Sequence, residues 1–285
     1  MKTFYKDTSI YLKKNWKNLT SRFIIYNIGV FLFGLGIAIY MNTKVGASHL
    51  DILVFALLKT IHGTSDSGSV SHNLDQYYSQ FLTFVYLIIL TFAILFNILL
   101  LIRDYKITKN KQIISKYLLR IVSDIIPVFI WPYYIKLSQL YIPLDAIGEL
   151  EVFFRTWIFI GGFLLYTTGF TFVVYSKMFL GPYNSVSSGL HNLTRINYAL
   201  SRVIIDVILA GAGIIVVLVN GSQFGVKMDF FNNYLLFGTV FFVFISGHII
   251  GWKLKKLTNF VEKYNKKKLE KKTPISRGKK LKKLF

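Results

Sequence analysis

The sequence predicts an all-α membrane protein: a polytopic bundle of six spans, built as two inverted-topology three-helix repeats, each with a short broken or re-entrant helix after its first span. Hydrophobic residues make up 53% of the 285-residue chain, mean hydropathy is +0.49, and apolar runs reach about 20 residues, the length that crosses a bilayer. A unit of apolar span, small-residue break and short helix occurs in residues 33–63 and again in 168–206. Lysine and arginine concentrate in alternate connections.

Composition narrows the classes of function. The chain has no cysteine, which excludes disulfides, a thiol nucleophile and thiolate metal sites. Its net charge of +21 lies mostly at the termini and in alternate loops, so it indicates membrane topology and not a nucleic-acid partner. Phosphate-loop, serine-hydrolase-elbow and zinc-protease motifs are missing from the sequence. We therefore expect neither an enzyme nor a bound cofactor or metal.

Four segments follow one another along the chain. Residues 1–22 form a basic amphipathic lead-in, with Trp16 as an interfacial anchor. The first three-span repeat covers 23–140 and the second covers 141–252. Residues 253–285 form a basic tail, predicted to continue as a helix and then to become disordered. The tail either attracts anionic lipid headgroups or only marks the cytoplasmic side of the membrane.

Each predicted span has enough apolar residues to cross about 30 Å of hydrocarbon. The third is interrupted by Pro127 and Pro132, which we expect to kink the helix without ending it, because neighbouring helices can satisfy the freed carbonyl groups. The six spans are 23–41, 81–102, 121–140, 157–175, 203–219 and 230–252.

Orientation follows from counting basic residues in the connections. Six precede the first span, six lie in 103–120 and fourteen lie in the tail, whereas 42–80 and 141–156 carry few. By the positive-inside rule, both termini of this multi-pass protein of the cell membrane are cytoplasmic. Because three spans per repeat is an odd number, the second repeat enters the membrane from the opposite side, as in many secondary transporters.

The two breaks lie on opposite sides of the membrane in this topology. The external break is 46–49 and the cytoplasmic break is 181–184. Ser48 is predicted to cap the first short helix, and Asn184 or Ser185 the second. Both breaks are either ordinary loops or sites where the helix N-termini point inward and offer N–H groups to an anionic ligand.

Ionisable residues inside the spans are the other candidates for chemistry. Arg202 and Asp206 are four residues apart on one face of the fifth span, where they can form an ion pair. This pair is either a substrate or proton site, or a structural link between the repeats. His248 is either a proton relay or a neutral hydrogen-bonded histidine. Arg120 and Asp124 repeat the spacing, and we expect an interfacial pair there.

The sequence thus provides two sets of candidate site residues. Asp51 belongs to the first set, although its carboxylate could equally serve only the dipole of the first short helix. The external connection 62–78 contains histidines and aspartates without rigid spacing, so no metal site is expected there. Residues predicted to bind the solute are Gly46, Ser48, Asp51, Gly181, Asn184, Arg202 and Asp206, and residues predicted to relay protons are Asp206 and His248.

Three stretches resemble the YczE/YitT-like family of bacterial integral membrane proteins. They are GVFLFGLGIAIYMNTKVGASHLD at 29–51, the run from GGFLLYTTGF to ALSRVIID at 161–206, and FGTVFFVFISGHIIGWKL at 237–254. The chain departs from the family's motifs in having His49 in place of a proline, Asn184 in place of an acidic residue and Asp206 in place of a glutamate. The resemblance implies permeases that have no established common substrate.

Two functions agree with these patterns. The first is a secondary permease or exporter of a small anionic or zwitterionic solute, which works by rocking of the two repeats about a shared site. The second is a non-transporting membrane component, either the substrate-binding subunit of a multi-part transporter or the scaffold of an envelope or biosynthetic complex. In both cases the expected partners are the lipid bilayer and a small molecule.

Overall fold

A computed structural model of the chain describes residues 2–62, 70–110, 112–142, 144–219, 230–231 and 237–272, and the regular structure within these ranges is helical. The helices are α1 (Lys2–Met41), α2 (His49–His62), α3 (Val70–Thr108), α4 (Gln112–Gln139), α5 (Leu144–Gly148), α6 (Val152–Ser176), α7 (Pro182–Thr194), α8 (Tyr198–Val219), α9 (Phe237–Val240), a π-helical turn (Phe241–Ile245) and α10 (Ser246–Lys272).

Five helical segments of the described chain are long and apolar enough to cross a membrane. Their outer faces are apolar too: on α3, Phe84, Phe92 and Leu95 are about half exposed. A water-soluble protein rarely exposes so many large apolar side chains together, so we identify a multi-pass membrane protein. The five segments are Trp16–Met41, Tyr77–Thr108, Val152–Ser176, Leu200–Val219 and Phe237–Tyr264.

The third predicted span lies in α4, which is not among these five segments. The helix nevertheless continues through Pro127 and Pro132, as expected from the sequence. It packs against α1 and α3, and its fully buried Trp131 donates a hydrogen bond from Nε1 to Tyr26 Oη at 3.1 Å. Contacts with neighbouring helices therefore hold this proline-containing helix in place.

The most extensive helix pairing joins α1 to α6. Gly29 lies against Gly169, and Gly36 lies against Gly162, so the two helices run antiparallel. A Cβ atom added to Gly36 would lie only 2.4 Å from the backbone nitrogen of Tyr166. The glycines thus allow the two backbones to touch, and in a membrane this kind of close packing drives helix association.

The short helices pack across the two halves of the chain. Helix α2, from the first half, lies against α8, and α7, from the second half, lies against α3. Helix α4 packs on α1, and α10 packs on α6. Each short helix therefore packs against the long helix that follows the short helix of the other half, α2 against α8 and α7 against α3.

At each break a glycine packs so closely against another helix that a larger residue would not fit. Gly181 has φ +80°, and an added Cβ atom would lie 2.6 Å from the ring of Trp131. A Cβ atom on Gly46 would lie 2.6 Å from the backbone nitrogen of Thr239 at the start of the last long helix. Each break is therefore held against a distant helix, α4 for the second and α9 for the first.

The last helix extends further than the predicted span. It is continuous from Phe237 through the π-helical turn to Lys272, whereas the sequence predicts an end at Trp252. The ammonium group of Lys253 donates to Thr167 Oγ1 at 2.8 Å and to Thr168 Oγ1 at 2.7 Å, in the middle of α6. Lys253, predicted as the first residue of the tail, is thus half-buried and anchored to the side of α6.

Several predictions fall on residues that the structure leaves undescribed. These include the side chains of residues 1–15 in the lead-in, residues 63–69 of the external connection, residues 220–229 and the tail end 273–285. The predicted disorder of the tail therefore lies outside the described residues. Within the described part, the tail is helical up to Lys272 and the predicted connection 62–78 is shortened, because α3 begins at Val70.

Candidate functional site

A buried cavity lies where the two halves of the chain meet. Both halves line it: α1, α2, α3 and α4 contribute from the first, and α6 and α7 from the second. About 20 Å³ is open to the centre of a water molecule, and one water needs roughly 10–15 Å³, so the space holds one or two waters. The polar and aromatic lining residues include Ser48, His49, Asp51, Tyr86, Trp131 and Tyr183.

Asp51 is the carboxylate that lines this cavity. Its Oδ2 accepts hydrogen bonds from the Ser48 N–H at 3.1 Å and from the Tyr40 hydroxyl at 2.6 Å, and its Oδ1 accepts one from the Tyr78 hydroxyl. The Asp51 N–H donates to Ser48 Oγ at 3.3 Å, which completes a reciprocal capping box. The predicted cap by Ser48 is confirmed, and two tyrosines hold the same carboxylate from other helices.

Asp206, from α8, forms a second buried carboxylate centre. Its Oδ1 accepts a hydrogen bond from the Tyr183 hydroxyl and lies 3.2 Å from Nε2 of His49, although the angle is poor for a hydrogen bond. Both His49 and Asp206 are 1% exposed. The His49 ring also stacks on the Tyr183 ring, with centroids 5.1 Å apart. The start of α2, the start of α7 and the middle of α8 thus meet at one point.

Arg202 does not form the predicted ion pair with Asp206: no contact within 4.0 Å joins their charged atoms in the described part of the chain. Its guanidinium lies instead over the rings of Phe170, at 4.9 Å, and Tyr183, at 5.1 Å. These cation–π contacts replace the pair because Tyr183 lies between the two helical turns and takes up the carboxylate. Nε and Nη2 of Arg202 have no hydrogen-bond partner among the described residues, although the side chain is only 4% exposed.

The second break is organised differently from the first. Gly181 is the N-cap residue of α7, with no side-chain hydrogen bond to the cap, and Pro182 follows it. The predicted cap by Asn184 or Ser185 is therefore wrong. Asn184 Nδ2 donates back to the Leu180 carbonyl, and its Oδ1 accepts from the Tyr198 hydroxyl at 3.4 Å. The Asn184 amide is thus bonded to the preceding turn and does not cap the helix. The helix begins instead at Pro182.

The remaining predicted residues lie apart from the cavity. The side chain of His248 is exposed, and its Nδ1 lies 2.9 Å from the Phe244 carbonyl oxygen of the same helix. Asp124 is buried and faces Ser185 in the first turn of α7, while no ion pair with Arg120 occurs in the described residues. The expected interfacial pair at Arg120 is wrong because α4 turns Asp124 inward, towards α7.

Sequence reasoning did not select His49, Tyr183 or the aromatic side chains as site residues. The available signal was weak: His49 and Tyr183 are the only large polar side chains in their respective breaks, next to Gly46 and Gly181. His49 and Asp206 are 157 residues apart in the chain. Nothing in the sequence predicts that His49 Nε2 and Asp206 Oδ1 lie only 3.2 Å from each other. Of the predicted residues, Ser48 and Asp51 line the cavity, Arg202 and Asp206 contact the lining residues Tyr183 and His49, and His248 lies outside.

Comparison with known proteins gives a family without an assigned activity. Residues 20–255 match the model of a family of unknown function, DUF6198. No curated protein matches the chain. No solved structure matches it either. The matched region contains both breaks, the cavity and the helix that carries Arg202 and Asp206. The chain belongs to the DUF6198 family.

Proposed function

We propose that this protein is a secondary permease or exporter of a small zwitterionic solute in the cell membrane. The observation that carries the proposal is the meeting of two broken segments, one from each half, around buried charged groups. His49 and Asp51 come from the first short helix and Tyr183 from the second, and α8 adds Arg202 and Asp206. Buried ionisable groups at the junction of broken helices are typical of solute sites in transporters.

Reciprocal packing supports an inverted repeat. If the halves are exchanged, α2 against α8 becomes α7 against α3, and α1 against α4 becomes α6 against α10. All of these contacts occur, and the central α1–α6 pair is antiparallel. An axis in the membrane plane that relates the halves would produce this pattern. With the charge distribution, it supports both termini in the cytoplasm and kinship with the YczE/YitT-like family.

Of the two solute classes expected from the sequence, the site favours the zwitterion. Arg202 offers two nitrogen atoms, Nε and Nη2, that have no partner among the described residues and can donate to a solute carboxylate, and Asp51 and Asp206 can hold an ammonium group. Arg202 lies behind the rings of Phe170 and Tyr183, so the carboxylate reaches it only after these rings move. A purely anionic solute would meet two carboxylates with a single cation to offset them.

Transport then requires the halves to separate in turn on each side. The cavity has room only for one or two waters, so the described conformation is closed. The two breaks pack against distant helices, Gly46 on the start of the last long helix and Gly181 on Trp131. Small rotations at these contacts would open one side while the other stays closed, which is the rocking movement expected for inverted repeats.

A ligand screen followed by flux measurements tests this proposal. The detergent-purified protein is heated with a panel of zwitterionic, cationic and anionic metabolites, and the shift in unfolding temperature is compared between the wild type, Arg202→Ala and Arg195→Ala. Arg195 is an exposed arginine at the end of α7 and serves as the matched control. We expect zwitterionic hits that disappear in Arg202→Ala and persist in Arg195→Ala.

The same hits are then loaded into proteoliposomes. A permease exchanges labelled solute across the membrane with no other protein present. A solute that binds but does not move would contradict the permease and favour the substrate-binding subunit. If no solute binds and another membrane protein co-purifies in equal amount, the scaffold alternative is favoured.

A further inference from the structure

We infer that His49 and Asp206 hold one exchangeable proton, and that a solute ammonium group competes with this proton to balance the same buried cluster when the solute carries a single positive charge overall. The protein would then exchange protons for a solute that carries a single positive charge overall, whereas a neutral zwitterion, whose carboxylate takes up Arg202, would bind together with the proton. The inference rests on the proposed transport function and adds to it the coupling ion and the chemical group that is recognised. Its starting observations are a histidine with a free nitrogen, an excess of buried carboxylates and an aromatic cavity.

His49 is placed where a proton can be bound and released. It is 1% exposed, Nε2 lies 3.2 Å from Asp206 Oδ1, and neither ring nitrogen has a hydrogen-bond partner among the described residues. Buried polar atoms rarely lack a hydrogen-bond partner, and a buried group that lacks one often has a functional role. The ring lines the cavity, so a proton on His49 or Asp206 can be exchanged with water that enters when the cavity opens.

Among the described residues, the groups that face His49 contain more negative than positive charge. Arg202 supplies one positive charge, and Asp51 and Asp206 supply two negative charges when ionised. With neutral His49, the cluster is therefore one positive charge short, and a buried charge without compensation is strongly unfavourable. One proton restores the balance. The titratable and charged groups that face the imidazole or line the same cavity are Asp51, Tyr78 and Tyr86, Tyr166, Tyr183, and Arg202 with Asp206.

The cavity is suited to a cation that could supply the same missing charge. Of the described residues that line it, none is lysine or arginine, and its walls include Phe33, Tyr86, Trp131, Tyr166 and Phe170. The faces of aromatic rings attract ammonium groups, most strongly when water is excluded. An ammonium group in this cavity lies beside the carboxylate of Asp51, which lines the same space.

Competition follows from the charge balance. For a solute whose only charge is its ammonium group, the buried cluster would carry an excess positive charge with both the proton and the ammonium group in place, and with neither it would lack one. Binding of the ammonium group therefore releases one proton to the water on the side to which the cavity is open, and rebinding of a proton on the other side releases the solute. No covalent bond changes, and one positive charge replaces another in each half-cycle.

Proton release on binding is the direct test, with methylammonium as the probe. Its size is close to that of the one or two waters that the cavity holds. Methylammonium chloride is added to detergent-purified protein in weakly buffered solution with a pH indicator, and binding is followed in parallel by equilibrium dialysis of labelled methylammonium. Sodium chloride at the same concentration is the blank. We expect about one proton released per bound methylammonium, as the charge balance requires.

Two variants separate the site from the rest of the protein. Asp206→Asn leaves Arg202 and Asp51 balanced without a proton, so this variant should release none, whereas Asp104→Asn, a carboxylate in contact with Arg103 and Tyr117 at the end of α3, should behave as the wild type. If Asp206→Asn does not fold, the wild type still decides: competition predicts that methylammonium affinity falls about tenfold for each pH unit in the range where the cluster holds its proton, the factor expected for one competing proton.

Several results would overturn the inference. These are methylammonium binding without proton release, unchanged release in Asp206→Asn, pH-independent affinity, or no binding at all. Its failure can be told apart from failure of the proposed function. Flux of a solute without an ammonium group, together with no methylammonium binding, would leave the permease and remove the competition. Proton release on binding without any flux would keep the competition and remove the permease.

Discussion

Gly169→Ala should lower the unfolding temperature of the purified protein strongly, while Gly161→Ala should not lower it. A Cβ atom on Gly169 would lie 2.3 Å from the Phe33 nitrogen and 2.6 Å from the Gly29 carbonyl oxygen, both backbone atoms of α1. Backbone cannot move aside as a side chain can, so α1 and α6 must separate. Overpacking typically costs about 1–3 kcal/mol, and we expect the upper end here because backbone is the obstacle.

Gly161 is a stringent control for this prediction. It lies in the same helix, but no atom lies within 4 Å of its added Cβ atom in the described structure. Both substitutions raise helix propensity equally, since each replaces glycine by alanine in a helix interior. The measurement is the fraction of monodisperse protein that remains after heating in detergent. Equal stability of the two variants would mean that α1 and α6 are not in backbone contact.

Asp206→Asn should abolish solute exchange without preventing membrane insertion. The asparagine keeps the shape of the side chain and can still accept from the Tyr183 hydroxyl. It removes the negative charge next to His49 and Arg202, and with it the attraction for a proton or an ammonium group. We expect the exchange rate to fall on the order of tenfold or more, since even 1.4 kcal/mol of lost binding energy corresponds to a factor of ten.

The assay is exchange of labelled solute in proteoliposomes containing equal amounts of folded protein. Asp104→Asn serves as the matched control, because it removes a carboxylate at the end of α3, away from the cavity. Insertion is checked by size-exclusion chromatography of the extracted variant. Normal exchange by Asp206→Asn would show that this carboxylate does not participate in transport and would remove α8 from the site.

Much of the fold is predictable because local patterns determine it. The predicted short helices after Gly46 and Gly181 are both present, as α2 and α7. Their starts are marked in the sequence by small residues, by the spacing of Ser48 and Asp51, and by Pro182. Proline did not end α4, since its neighbours in the bundle support it. Period and capping are local properties, and they were sufficient to predict that both short helices exist, although the cap residue predicted for the second was wrong.

The site was harder to predict because distant contacts create it. The spacing of Arg202 and Asp206 suggests a pair on one helix, yet each side chain finds a better partner elsewhere, aromatic rings for the arginine and His49 with Tyr183 for the aspartate. Helical spacing shows which residues share a face. It cannot show which ring another helix will place between them, and that placement decided the pairing here.

The last helix shows a different limit of prediction. Residue charge suggested that the span ends at Trp252, because lysines follow. The ammonium group of Lys253 instead finds a carbonyl and two hydroxyl oxygens on α6, which satisfy it inside the bundle. A lysine near a span end can thus belong to the bundle if polar side chains of a neighbour reach it, and a count of charges does not detect this.

The proposed account depends most on two halves of opposite orientation, and single-cysteine labelling tests this directly. The chain has no cysteine, so each introduced residue is the sole target. Lys44 and Lys177 are exposed positions that follow α1 and α6, immediately before the two breaks. In intact cells, a membrane-impermeant maleimide should label Lys44→Cys, whereas Lys177→Cys should be labelled only after permeabilisation. Labelling of both variants from the same side would contradict the inverted repeat and the shared site built on it.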